Sequence, residues 1–85
     1  MIEKTYWDEE ETIPKEENHT NEKGEWHRVD GPAYQSWRKN EQKDTECWKQ
    51  NGQHHRLDGP AHQAWDGDGQ KEYESWDIFG VEVKL

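Results

Sequence analysis

Apolar and polar residues alternate with a period of two along two segments of the chain. In AYQSWRKNEQKDTECW, residues 33–48, Gln35 and Trp37 fall on one face of an extended strand and Tyr34 falls on the other. The segment AHQAWDGDGQKEYESW, residues 61–76, repeats this alternation. The period predicts β-strands in both segments, and no part of the chain has the 3.6-residue period of a helix.

Turn residues divide these segments into hairpins. Asn40-Glu41 and Asp68-Gly69 interrupt the two segments, and Asn51-Gly52 follows the first of them. Asn-Gly is among the strongest hairpin signals because both central positions of a type I′ turn need a positive φ. A turn at this point predicts that His55 lies opposite Trp48.

The hairpins belong to a repeat of 28 residues. HRVDGPA at residues 27–33 returns as HRLDGPA at residues 55–61. Three glycines keep the same spacing, at Gly24, Gly52 and Gly80. Self-similarity at a fixed period is typical of proteins built from stacked supersecondary units.

We divide the chain into two full and two partial copies within one domain, residues 1–85. The full copies are residues 24–51 and 52–79, a degenerate acidic copy precedes them at residues 1–23, and a partial copy follows at residues 80–85. The predicted fold class is all-β, an antiparallel meander of 28-residue hairpin repeats with roughly seven to nine short strands.

Tryptophan supplies most of the apolar surface. Hydrophobic residues are only 27% of the chain and charged residues 36%, a balance that is typical of disordered chains. Six Trp, three Tyr and one Phe favour a folded chain instead, because each buried aromatic removes about 150–250 Å² from water. Trp37, Trp48, Trp65 and Trp76 are predicted to line one face of the sheet. A bare aromatic face predicts a partner, and self-association is the simplest one.

The repeated heptad is interpreted as a structural turn. Asp accepts backbone hydrogen bonds, Gly supplies an unusual φ, Pro ends strand pairing, and Arg holds the Asp or a carbonyl through its planar fork. A catalytic group is seldom needed twice at a repeat interval, whereas every repeat needs a turn. The predicted structural residues are His27, Arg28, Asp30, Gly31 and Pro32 with their repeats His55, Arg56, Asp58, Gly59 and Pro60.

The repeat carries a resemblance. A Trp, a short spacer, Asn-Gly, two residues and then His-Arg-x-Asp-Gly-Pro-Ala resembles a tandem repeat of phage, bacterial and giant-virus proteins, and is distantly similar to MORN-type repeats. The resemblance covers Gly24 to Gly80. It implies an array of β-hairpins that contacts proteins or membranes rather than a catalyst. MORN repeats have a Gly-rich pattern of shorter period that this chain lacks, so lipid binding is not implied.

Catalytic and metal-binding signals are weak, and we predict no enzyme activity, no metal and no cofactor. The chain has five His but no Cys pair and no His-x-His spacing. His54 and His55 are sequential, so only one of them can join His62 or His27 on a given face. Cys47 is expected mid-strand beside acidic residues, which raise the pKa of a thiol.

The cellular location is predicted from the same features. A single Cys excludes an internal disulfide and favours a reducing compartment. The N-terminal MIEKTYWDEEE lacks the basic and apolar parts of a signal peptide, and no run is long enough for a membrane span. We expect a cytoplasmic protein without membrane contact, in a host cell if the chain is phage-encoded.

Acidic residues point to the kind of partner. The net charge is −9, and residues 1–25 hold nine acidic and three basic residues. Such a field repels phosphate backbones and attracts basic surfaces, so direct binding to nucleic acid is disfavoured. The predicted partner-binding residues are Asp8, Glu9, Glu10, Glu11, Glu16, Glu17, Trp37 and Trp65.

Three functional hypotheses follow, in order of preference. In the first, the protein inhibits a partner by occupying its basic nucleic-acid-binding groove, in the manner of phage anti-defence proteins such as anti-CRISPRs. In the second, it is a structural β-repeat module whose Trp face mates with another copy in a homodimer. The third, an enzyme that uses His, Arg and Asp of the heptad, is the least favoured.

Overall fold

A computed structural model of the chain describes residues 1–83 and contains nine β-strands and no helix in that range. The strands are β1 (Ile2–Tyr6), β2 (Pro14–His19), β3 (Tyr34–Trp37), β4 (Lys43–Cys47), β5 (Lys49–Gln50), β6 (Gln53–His54), β7 (His62–Trp65), β8 (Lys71–Ile78) and β9 (Val81–Val83). Seven of them form one antiparallel sheet in the order β1-β2-β3-β4-β7-β8-β9, and β5 and β6 form a separate hairpin. The predicted all-β meander is confirmed; residues 84–85 of the last partial copy lie outside the described residues.

The hairpin turns have the geometry that their residues predict. Asn51 and Gly52 have φ values of 51° and 80°, as a type I′ turn requires, and they join β5 to β6. The N–H of His55 donates to the carbonyl of Trp48 at 2.9 Å, so His55 lies opposite Trp48 as predicted. Phe79 and Gly80 form the equivalent turn between β8 and β9, with φ values of 47° and 81°.

Backbone hydrogen bonds between copies recur at the 28-residue spacing. The N–H of Gly52 donates to the carbonyl of Trp26 at 2.9 Å, and the N–H of Gly80 donates to the carbonyl of His54 at 2.8 Å. Each of these turns is therefore held by a residue that directly precedes a heptad, Trp26 or His54. This contact depends on both copies, as expected when a single unit cannot bury its own surfaces.

The molecule is a thin plate of about one sheet with its side chains. Its principal extents are 39 × 34 × 15 Å, and its buried apolar residues are only Ala33, Cys47 and Ala61 among the residues described. No large side chain is fully buried in that range. A sheet of this thickness has no interior in which large aliphatic side chains would be buried, which explains how so polar a sequence forms a sheet.

A row of polar side chains crosses one face of the sheet where a hydrophobic core would otherwise lie. Strand register places its six members directly opposite one another from β1 to β8: Lys4, Glu17, Gln35, Glu46, Gln63 and Glu74. Gln63 donates from Nε2 to Oε1 of Glu46 at 2.8 Å, and Lys43 donates from Nζ to Oε1 of Gln35 at 2.6 Å. We call this set the polar row.

The four predicted tryptophans flank the polar row on the same face. Each stands two residues after a member of the row, within the same strand or directly after it: Trp37, Trp48, Trp65 and Trp76. The Nε1 of Trp48 donates to Glu46 at 2.9 Å, and Lys43 lies 4.8 Å from the ring centre of Trp37. All four rings are half-buried.

The two Arg side chains of the heptads hold their own loops, as predicted. Arg28 donates from Nε to Asp30 at 3.2 Å, and Arg56 makes the same contact with Asp58 at 3.0 Å. The second arm of Arg56 donates to the carbonyl of Pro60 at 3.2 Å. The guanidinium fork thereby closes each loop across four residues.

The reason predicted for the two heptad glycines, an unusual φ, was wrong. Gly31 and Gly59 do not have positive φ. A Cβ at Gly59 would instead stand 2.7 Å from Cζ of Arg56, and one at Gly31 would stand 2.8 Å from Cζ of Arg28. A side chain at either position would therefore push the guanidinium away from its present contacts.

The heptad histidines link one copy to the next. Nδ1 of His27 accepts the N–H of Asn51 at 3.0 Å, and Nδ1 of His55 accepts the N–H of Phe79 at 2.9 Å. The ring of His55 also stacks on Phe79 with ring centres 3.9 Å apart. Each histidine thus satisfies a backbone donor of the following type I′ turn.

Candidate partner-binding face

The two heptad loops border a cleft on the face that carries the polar row. Val29 and Leu57 occupy the one variable position of the heptad, and they are 70% and 77% exposed. Asp30 and Asp58 follow them, with side chains 87% and 81% exposed. These four residues and Trp48 line one cavity, which we call the loop cleft.

The floor of the loop cleft is an arginine stacked on a tryptophan. Cζ of Arg56 lies 4.0 Å from the ring centre of Trp48, and NH1 of Arg56 lies 3.8 Å from Oε1 of Glu46. Burial by itself raises the pKa of Glu46, but hydrogen bonds from Trp48 and Gln63, together with the charge and hydrogen bond of Lys43, leave that pKa below its usual value. Glu46 is therefore ionised, and Arg56 is held by a charge and an aromatic ring together.

The first copy has a histidine beside the glutamate, and its arginine meets the ring nitrogen rather than the ring face. NH1 of Arg28 lies 3.5 Å from Oε2 of Glu17 and 3.1 Å from Nε2 of His19. The hydrogen bond from His19, at 2.6 Å, lowers the pKa of Glu17 more than burial raises it. Each heptad arginine thus lies in a cup made of a glutamate of the polar row and the ring two residues after it.

The acidic loop between β1 and β2 contains both a structural acid and free acids. Asp8 accepts hydrogen bonds from the hydroxyl and N–H of Thr12 and from the N–H of Ile13. The hydrogen bond from the Thr12 side chain is the largest cause that lowers the pKa of Asp8. The next three residues, 9–11, are exposed glutamates. Of the predicted acids in this loop, Asp8 shapes the turn and the glutamates face solvent.

The other two predicted acids are already bonded within the sheet. Glu16 and Glu17 are adjacent on β2 and project to opposite faces. Glu16 accepts the hydroxyl of Tyr34 at 2.8 Å, whereas Glu17 belongs to the polar row. Both are half-buried, so the structure separates them from the exposed glutamates of residues 9–11.

The two predicted partner-binding tryptophans are covered by lysines. Lys43 lies over Trp37 at 4.8 Å, and Lys71 lies over Trp65 at 5.9 Å from the ring centre. The Nε1 of Trp7 donates to the backbone carbonyl of Trp37 at 2.9 Å. Trp65 lines a shallow cavity with Glu46 and other polar residues, whereas Trp37 lies nearer to the N-terminal strands.

Folding sorts the charges between the sheet and the solvent. Twelve of the twenty acidic side chains are exposed, but only four of the ten basic side chains in residues 1–83 are. Most of the other bases lie on aromatic rings, as Lys49 does on Trp26 at 4.9 Å. The outer surface is therefore more acidic than the composition alone implies.

Sequence reasoning did not single out Val29 and Leu57. An available signal was that the only heptad position that differs between the copies is apolar in both, inside an otherwise polar turn. Apolar residues in a turn have no strand partner to cover them, and both are exposed beside acidic neighbours.

No protein-family model, no curated protein and no solved structure matches the chain. Within residues 1–83, no helix has the length and apolar character needed to cross a bilayer. The functional argument therefore rests on the charge, the exposed residues and the contacts described above.

Proposed function

We propose that this is a small acidic protein that binds a basic nucleic-acid-binding surface of a partner protein and inhibits it, as anti-CRISPR-type proteins do. The observation that carries the proposal is the sorting of charge, with twelve exposed acids against four exposed bases in residues 1–83. Large basic surfaces inside cells are mostly built for nucleic acid, so this surface competes for the same groove.

Two regions supply the contacts in this proposal. The loop cleft offers Val29 and Leu57 between the carboxylates of Asp30 and Asp58. Arginine and lysine have apolar stems and charged ends, so they suit a surface where apolar and acidic side chains alternate. The exposed glutamates of residues 9–11 add a second acidic patch that steers the partner towards the complex.

Two other functions are disfavoured, one by the acidic charge and one by the contacts of the heptad residues. A phosphate backbone is repelled by this surface, so the proposed target is a protein and not nucleic acid itself. The His, Arg and Asp of each heptad are bonded to their own loop or to the next turn, as Arg56 is to Asp58. We therefore propose no catalytic role for the heptads. The proposed site of action is the cytoplasm.

Open sheet edges favour self-association as the second candidate function. Among the described strands, β9 pairs only with β8 and β1 pairs only with β2. Phe79 and Val81, at the β9 end, are 61% and 67% exposed. Unpaired edge strands with apolar residues are templates for pairing with a second copy.

The test begins with the immobilised chain and a bacterial lysate at low and at high salt. The captured protein is then purified, and its complex is challenged with DNA and RNA. We expect nucleic acid to compete with the chain for the partner. Reversing Glu9, Glu10 and Glu11 to Lys should slow association about tenfold or more and flatten the salt dependence, because the steering charge is lost.

A matched control reverses three exposed acids elsewhere: Glu22, Asp68 and Glu72. This variant has the same net charge, so a smaller loss of association rate locates the effect in the acidic loop. Equal association rates for the wild type and the Glu9–Glu11 variant contradict a role for that loop. A partner that nucleic acid does not displace contradicts the inhibitor proposal. A wild-type dimer in sedimentation that Val81→Lys converts to a monomer favours the second candidate.

A further inference from the structure

Three potential metal ligands meet on the face opposite to the polar row. Cys47 at the end of β4 lies directly opposite His62 at the start of β7. The hairpin of β5 and β6 places His54 over the same point, since its ring is nearly parallel to that of His62 with centres 5.2 Å apart. Their ligand atoms all lie within 4.8 Å of one another.

The cluster contains a buried ring nitrogen that needs a partner. Nε2 of His54 is buried and has no hydrogen-bond partner among residues 1–83. Buried polar side-chain atoms almost always have a partner, because a buried unsatisfied group loses its hydration without compensation. A bound cation would provide that partner.

The protonation states suit a metal site on the histidine side. Burial, the charge of Lys49 and the neighbouring ring of His62 lower the pKa of His54, and burial and Lys49 lower the pKa of His62. Both rings are therefore neutral and have a free nitrogen lone pair near pH 7. Burial raises the pKa of the Cys47 thiol, so metal binding there must release a proton.

We propose that Cys47, His54 and His62 bind a zinc-class divalent ion through one thiolate and two imidazoles. Ligands of tetrahedral zinc stand about 2.0–2.3 Å from the ion and about 3.3–3.8 Å from one another, so a closing movement of about 1 Å forms the site. Buried Asp77 contributes a negative charge near both rings, and Lys49 contributes a positive one. Water or a ligand from outside the cluster would complete the tetrahedral set of four.

Binding would fasten the small hairpin to the large sheet. His54 is the only one of the three ligands on the β5–β6 hairpin, whereas Cys47 and His62 belong to the large sheet. The same hairpin region supplies Gln50 and His55 to the lining of the loop cleft. The ion would therefore rigidify one wall of the loop cleft from the other face of the sheet.

The test titrates Zn²⁺ into the reduced chain, with Co²⁺ as the spectroscopic probe. We expect a thiolate-to-cobalt charge-transfer band, the strong visible bands of tetrahedral Co²⁺, and a rise in melting temperature with Zn²⁺. His54→Ala and His62→Ala should each weaken Zn²⁺ binding at least about tenfold, the loss that even an outer-shell partner can cause. His19→Gln, outside the cluster, should bind like the wild type.

Cys47→Ser distinguishes the thiolate from the two rings. This nearly isosteric change should remove the charge-transfer band, and the melting temperature without metal reports whether the variant still folds. An octahedral Co²⁺ spectrum, or Zn²⁺ binding by the wild type no tighter than by folded His54→Ala and Cys47→Ser, overturns the proposal. Because partner binding is not part of this measurement, its outcome is independent of the inhibitor hypothesis.

Discussion

At the scale of single residues, the His, Arg, Asp and Gly that the two heptads share each have a contact that explains them. The arginine reaches its own aspartate, the carbonyl before the alanine, and the cup on the sheet, as Arg56 does with Asp58, Pro60 and Trp48. Glycine leaves room for that guanidinium. The heptad is therefore one arginine-centred unit, in which removing one part should remove the benefit of the others.

Gly59→Ala should destabilise the fold by about 1–2 kcal/mol, because its Cβ would displace the guanidinium of Arg56 from charged hydrogen bonds. Urea unfolding measures the change. Gly67→Ala is the matched control, since nothing lies within 4 Å of a Cβ there and its φ is not positive. In an Arg56→Ala background the cost of Gly59→Ala should largely vanish. Additive costs in this cycle contradict the proposed reason for the glycine.

At the scale of elements, the recurring unit is a cup at the end of one strand, filled by an arginine of the following loop. Glu46 and Trp48 form the cup for Arg56, and Glu17 with His19 forms it for Arg28. The ring beside the glutamate is an indole in one cup, where the arginine lies over its face, and an imidazole in the other, where the arginine meets a ring nitrogen. Substitution of Trp48 can therefore show how much the larger ring contributes to stability.

Trp48→Ala should cost about 2–3 kcal/mol, somewhat below the range for a fully buried ring, because Trp48 is half-buried. Trp48→His should cost less than Trp48→Ala, since His19 already fills the equivalent place beside Glu17. Urea unfolding of the three proteins gives the order, and light scattering reports their oligomeric state. Equal losses for the two variants contradict the equivalence of the cups, and a folded monomer from a dimeric wild type moves Trp48 to an interface.

At the scale of the whole molecule, a thin sheet with little apolar core depends on ionised and hydrogen-bonded polar groups. The polar row crosses one face, and the neutral imidazoles of His54 and His62 lie on the other. The folded chain favours the ionised form of the carboxylates in the polar row and the neutral form of the two imidazoles. Stability should therefore fall with decreasing pH in two separate windows.

The first window begins near pH 6.5, the ordinary value for the two histidines, because their folded-state pKa values lie lower and the unfolded chain takes up protons first. The second begins near pH 4.5 for the lowered pKa values of Glu17 and Glu46. Stability from either set is present above its window and is lost as pH falls through it. Urea unfolding from pH 8 down to about pH 3, with a chelator present, measures both.

A variant with His54→Gln and His62→Gln should lose much of the slope below pH 6.5 and keep the slope below pH 4.5. Glu46→Gln should do the reverse, because it removes one of the two lowered carboxylate pKa values and retains a side chain of the same shape. Unchanged slopes in both variants contradict the assignment of the windows to these groups.

The sequence by itself determined the strands, the turns and the spacing of the copies. A period of two, an Asn-Gly turn and a 28-residue repeat are local signals, and β5, β6 and their type I′ turn lie where those signals place them. The register that sets His55 opposite Trp48 follows from turn length alone, because a two-residue turn fixes which residues face each other.

Tertiary structure decided which side chains meet across strands that are distant in sequence. The polar row needs six strands in one register, and Cys47, His54 and His62 come from three different strands. Neither set can therefore be predicted from a short spacing in the sequence. The role of Gly59 could not be predicted from the sequence either, because it depends on where the Arg56 side chain lies and not on the backbone φ. Local periodicity fixes the direction of a side chain, but only the pairing of strands fixes what it touches.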